Sequence, residues 1–131
     1  MTQVWIPNLA GVATLTPIRV TNRYLNTGAG PDNIEYTVPA GRLAVITAAS
    51  ISRVGGTAYT RLVVKVLLGG VQPDPALIED AEPVAFGALT WSGHVPLIAS
   101  DQVRSEAPGG DATSDYQAAV FGFEFDWIDD T

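Results

Sequence analysis

No stretch of this chain repeats apolar residues at helical spacing. Instead, β-branched and aromatic runs alternate with clusters of Gly, Pro, Asn and Asp. That pattern restricts the chain to strands joined by turns. Thirteen glycines and nine prolines supply frequent breaks. With 131 residues, 47% of them hydrophobic, one domain with an ordinary core is expected. Eight or so short strands at regular turn spacing predict an all-β fold: a single antiparallel β-sandwich or jelly-roll-like domain. The expected organisation is an extended N-terminal arm over 1–19 and a sandwich over 20–131.

The arm is interrupted by Pro7, Gly11 and Pro17 and reads as a segment draped over something. Residues 19–25 alternate, with Val20, Asn22 and Tyr24 on one side, and 33–38 form the next strand. Residues 43–53 make a long strand, small or apolar on both faces, and so central in its sheet. A hairpin-like connection over 54–57 is expected to return the chain along 58–68 as an antiparallel partner. Residues 71–84 read as a Pro-rich loop with room for one helical turn over 76–81. Short strands follow at 86–91 and 94–98 around Ser92-Gly93, then 102–106 after a Ser100-Asp101 turn. The stretch APGGDATSD over 107–115 reads as a flexible loop. Over 116–127, Ala119, Phe121, Phe123, Phe125 and Trp127 share one face of a strand, and such an aromatic row is expected to anchor the core.

Charge is unevenly placed. Residues 1–73 carry six basic side chains against two acidic ones, whereas 74–131 carry Arg104 against twelve acids, for a net charge of −7. Two readings stand: the halves neutralise each other inside one fold, or opposite poles meet across subunit contacts. The acidic excess argues against nucleic acid as a partner, since phosphate contacts need the reverse. No apolar run approaches the length needed to span a bilayer, so no membrane partner is expected. Without cysteine, disulfides and cysteine-based zinc sites are excluded.

Chemistry-bearing motifs are sparse. His94 is the one histidine, and neither a GxSxG elbow nor an HExxH motif accompanies it. Most of the fourteen acids fall in loops or near the C-terminal end, where solvation keeps them ordinary rather than tuned as a catalytic pair. Asp111 and Asp115 share a glycine-rich loop without the DxDxDG spacing of a calcium site. The expectation is a chain that is not an enzyme and takes no cofactor or metal.

Three stretches together resemble small virion proteins of tailed bacteriophages: EYTVPAGRL with the following AVITAASISR, VPLIASDQVR, and AVFGFEF. In the second, Ser100 stands where glycine is usual. The resemblance implies a virion structural protein made in the host cytoplasm. Its leading form is a decoration or cement protein on the outer capsid surface, often homotrimeric and bound to the major capsid protein. Val4, Trp5, Ile6 and Leu9 would then anchor the arm, with Arg19, Arg23 and Arg42 as polar contacts. The alternatives are a head–tail joining protein or a tail-fibre or tail-tip receptor-binding module, the latter using Trp91, Asp111 and Asp115.

Overall fold

The computed structural model describes residues 15–69, 75–80 and 88–126. They form eight strands: β1 (Leu15–Tyr24), β2 (Asp32–Thr37), β3 (Arg42–Gly55), β4 (Leu62–Leu67), β5 (Ala76–Asp80), β6 (Ala88–Leu97), β7 (Gln102–Glu106) and β8 (Asp115–Asp126). The strands build two four-stranded sheets, ordered β1-β8-β3-β6 and β2-β7-β4-β5. All pairings are antiparallel, and β1 meets β8, β2 meets β7, β3 meets β6 and β4 meets β5. This is a long hairpin rolled up on itself, the topology of a jelly roll, and the β-sandwich expected from the turn spacing is therefore the fold.

The core lies between the sheets. Ile18, Ala44, Ile46, Ala49, Ile51, Ala118 and Val120 from the first sheet face Val38, Leu62, Val64, Val66, Ile78 and Val103 from the second. A polar chain also spans the gap. Asn33 Nδ2 donates to the Tyr116 hydroxyl (2.7 Å), which lies 2.8 Å from Ser105 Oγ. Ser105 spends its one proton on Glu35 Oε1 (2.8 Å), so Tyr116 donates to Ser105. Glu35, 7% exposed, also accepts from Tyr24 (2.6 Å) and Asn22 (2.7 Å). Three donors thus satisfy a carboxylate that would be costly to bury alone. Tyr24 stacks on Tyr116 and Tyr59 meets it edge-on. Burial is the leading cause that raises all three phenols; Glu35 also raises Tyr24, and Tyr116 reaches about 12.

Several expectations are corrected. The chain does not turn back from β3 onto β4. Both edges of β3 are taken, by β8 and β6, so a central strand has no edge left for its successor, and β4 joins the other sheet. Residues 76–80 are a strand rather than a helical turn, because Ile78 pairs with Val64 and enters the core. The Ser92-Gly93 pair is not a turn. It lies within one strand, β6, where the register slips opposite Ile46 and Ala48, so a bulge absorbs it. Leu15 to Arg19, assigned to the arm from sequence, already pair with β8, whereas residues 1–14 fall outside the described residues.

Loops gather at the two ends of the sandwich. At one end, residues 107–114 are the hub rather than a flexible loop. Thr27 N and Gly28 N donate to the carbonyls of Ser114 and Asp111, and Thr60 N donates to Pro108 O. Ser114, fully buried, donates to Thr57 O and accepts from Asp111 N. Gly109 is obligatory there: at φ +84°, a Cβ would stand 1.7 Å from Thr60 Oγ1. At the other end, Val38 N donates to Asp101 O and Ser100 N to Val38 O. The Asp101 carboxylate accepts from Gly69 N and Ile98 N. Ser100, at the position where the resemblance expects glycine, takes φ +77°, a conformation in which a side chain is strained.

Candidate assembly surface

The residue pattern of β8 decides what the first sheet shows to solvent. Both faces of this strand are apolar, so alternation alone does not say which one turns inward. The core takes Tyr116, Ala118, Val120 and Gly122. The aromatic row expected to anchor the core faces outward instead, with Phe121 39% and Phe123 43% exposed. Gly122 shows why. A Cβ there would lie 2.1 Å from Val45 O, so on this face the backbone of β3 leaves no room for a side chain. Trp127 falls outside the described residues.

Antiparallel register places the neighbours of this row. Leu15, Pro17 and Arg19 of β1 stand opposite Phe125, Phe123 and Phe121. On the other side Leu43 and Val45 of β3 stand opposite Phe125 and Phe123, and Pro96 of β6 lies beyond Val45. Residues paired across antiparallel strands share a face. The result is a continuous apolar block on one half of the outer surface, extended by Ile98, 63% exposed, just past β6. Contiguous exposed apolar surface of this kind is the candidate interaction surface among the described residues.

The other half of the same face is polar and basic. Arg19 and Arg23 are exposed and make no ion pair with a described residue. Beside Arg23 lies a groove of about 210 Å³ lined by Thr21, Ser50, Gln117 and Ala119 among others. Arg42, the third arginine singled out from sequence, is held within its own chain. Its guanidinium pairs with Glu124 and, at 2.6 Å, with Asp126, while Tyr36 donates to Glu124 at 2.6 Å. Burial and that carboxylate push the Tyr36 phenol up.

Val4, Trp5, Ile6 and Leu9 lie outside the described residues. Trp91 turns to the inner side of β6, half-buried against the core. Asp111 closes its own turn, accepting from Thr113 N (2.8 Å) and Thr113 Oγ1 (2.7 Å), bonds that hold its carboxyl below the usual carboxylate range. Asp115 accepts from Asn26 N at 2.8 Å. The three residues of the receptor-binding alternative are thus committed to packing and turns and do not converge. Among the described residues no three His, Asp or Glu side chains converge as metal ligands would. Sequence reading missed Phe121 and Phe123 as surface residues; the signal was Gly122 in the middle of the strand, marking close backbone approach.

The second sheet has an outer face of another kind. Arg61 reaches Glu79 (3.2 Å) and Glu106 (3.5 Å), Lys65 reaches Glu106 (2.9 Å) and Asp32 (3.5 Å), and Arg104 reaches Asp32 (3.5 Å). Of these, the pairs of Arg61 with Glu79 and Glu106 and of Lys65 with Glu106, together with those of Arg42, join the basic first part of the chain to the acidic second part. Part of the sequence's charge asymmetry is therefore neutralised inside the fold.

No protein-family model and no curated protein matches this sequence. Among solved structures, a chain in the acidic stable capsid of Helicobacter pylori bacteriophage KHP30 aligns with TM-score 0.58 and 13% identity, over 86% of this chain and 94% of that one. A chain from Bacillus endospore appendages, which form disulfide-linked pili, aligns with TM-score 0.51 and 13% identity, over 88% and 90%. A chain of infectious bursal disease virus, Gt strain, aligns at 0.49 and 7% identity, over 88% of this chain and 34% of that one. At such identities the likeness is one of fold, and the fold this chain shares with the phage capsid chain is the two-sheet β-sandwich along nearly the full length of both.

Proposed function

We propose that this chain is a non-enzymatic structural protein of a bacteriophage virion, most specifically a decoration protein that binds the outer capsid surface and bridges capsid subunits. The observation that carries the reading is the apolar block around Phe121, Phe123 and Phe125, an uncovered sheet face on an otherwise well-satisfied sandwich. The phage capsid chain of the same fold supports a virion setting, as do the three sequence stretches resembling phage virion proteins. In this reading the major capsid protein and sister copies, in a homotrimer, cover the block. Covering each phenylalanine adds roughly 1 kcal/mol from the area still exposed. Several such contacts repeated over a symmetric assembly multiply into avidity. A protein that binds the assembled lattice and not the free coat protein stabilises the shell by mass action.

Arg19 and Arg23, exposed beside the block, suit acidic groups on a capsid neighbour. The inward turn of Trp91 and the bonds that Asp111 and Asp115 make within the chain favour this reading over the receptor-binding alternative. Electron microscopy of intact particles with an antibody against this chain tests the reading. Label spread over the head is the expected result; label confined to the tail tip, or absent from every particle, would overturn it.

A further inference from the structure

We propose that the apolar block on the first sheet is covered by residues 4–9 of a second copy of this chain. The inference rests on the reading of this face as an assembly surface and names its occupant.

Three observations converge on that segment. The first is where it attaches. β1 begins at Leu15, paired with Phe125 at the apolar end of the sheet, so residues 1–14 join the molecule beside the block. The second is chemistry. No side chain among residues 1–18 is charged, and Val4, Trp5, Ile6 and Leu9 concentrate large apolar groups within six positions. The large apolar side chains of such a stretch gain from burial, and no charge opposes it. The third is charge on the face itself. Arg19 and Arg23 are exposed there without ion-pair partners among the described residues. Two such faces brought together would set like charges against each other, whereas an uncharged segment meets no repulsion.

Direction favours a neighbour over the segment's own sheet. Followed from Tyr24 to Leu15, β1 points past the end of β8, and an extended continuation leaves the sheet. The stretch from Leu9 to Leu15 spans up to about 20 Å when extended, a tether that permits the face of an adjoining copy as the seat. Return onto its own face requires a reversal, for which Gly11 is the available position; that arrangement is the competing outcome of the test.

The chain has no cysteine, so disulfide trapping in the full chain is clean. Asn8→Cys protein and affinity-tagged Phe123→Cys protein are mixed and oxidised gently, with Ile34→Cys, exposed on the second sheet, as the control partner. The proposal expects the mixed dimer to exceed the Ile34→Cys control by about tenfold, as a docked contact raises effective concentration. Trp5→Ser/Ile6→Ser in the Asn8→Cys chain should reduce it to the control level. A disulfide that forms only within an Asn8→Cys/Phe123→Cys chain, or a mixed dimer no stronger than control, overturns the proposal. Association of the parent chain measured beside Phe121→Ser/Phe123→Ser separates the two ideas. Association lost in that variant with no trapped arm removes the arm and keeps the surface; association unchanged removes both.

Discussion

On the outer face of β4, Val63 is 4% exposed; on the outer face of β8, Phe121 and Phe123 are 39% and 43% exposed. All three sit in central strands, and all three point away from the core. Val63 stands in register with Glu79 and Glu106, whose carboxylates meet Arg61 and Lys65, and the stems of these long side chains shield apolar surface from water. Around Phe121 and Phe123 the register neighbours are Pro17, Arg19, Val45 and Ala48, too short or too few to do the same. The second sheet therefore covers its own outer face with a salt-bridge lattice, whereas the first leaves its aromatic row for something else to cover. Equal alternation along a strand does not make equal surfaces; what differs is whether a sheet's own side chains complete it.

On the proposed function the aromatic face serves assembly and not the stability of the single chain, and substitutions separate these roles. The largest effect is expected at Gly122, where the aromatic sheet is held together. Gly122→Ala would place a Cβ 2.1 Å from Val45 O, forcing β3 and β8 apart at a cost of about 3 kcal/mol or more. Chemical denaturation should show a folded population lost or severely weakened.

Next comes the polar bridge on which both faces depend equally. Tyr116→Phe leaves the partners Asn33 and Ser105 without the hydroxyl between them, expected to cost about 2 kcal/mol in denaturant unfolding. The same tyrosine makes stability depend on alkaline pH. Its phenol is raised to about 12 in the fold against about 10 unfolded. Between these values the unfolded chain has lost a proton that the folded chain retains, so stability falls as pH rises from about 10 through 12. Tyr24 and Tyr36 shift in the same direction. A melting temperature that holds steady across that interval would contradict the buried bridge.

The smaller effects fall at a strained turn and on the ionic face. Ser100→Gly relieves a left-handed backbone and should stabilise by roughly 0.5–1 kcal/mol, read as a rise in melting temperature. Arg61→Gln removes contacts to Glu79 and Glu106, both on partly exposed groups. It should cost less than about 1 kcal/mol, a loss that shrinks further in high salt.

Much of the architecture was legible in the sequence because turn residues punctuate it. The strands at 33–38 and 102–106 are found within a residue of where alternation places them, and β3 is central as its two apolar faces imply. Partner choice was not legible. Whether β3 pairs with the strand that follows it depends on β6 and β8, which occupy both its edges and lie far along the chain. The face of β8 was misread for a related reason. Side-chain size suggests that three phenylalanines fill the core, but the inner face of β8 carries Ala118, Val120 and Gly122, and at Gly122 the backbone of β3 leaves no room for a side chain. The loop at 107–115 looked free because its residues are small; small residues are also what lets Gly109 and Gly110 pack against Thr60, Tyr59 and Ser114. Of the candidate site residues, Arg19 and Arg23 are where an interface could use them, whereas Arg42 pairs inside its own chain.

The most direct test of the contrast between the two faces is sedimentation velocity of the full chain over a range of concentrations, beside Phe121→Ser/Phe123→Ser and Arg61→Gln. The account predicts that the parent chain and the Arg61 variant associate alike, while the phenylalanine variant stays monomeric with unchanged denaturant stability. Association that survives loss of both phenylalanines, or fails with Arg61→Gln, would contradict it.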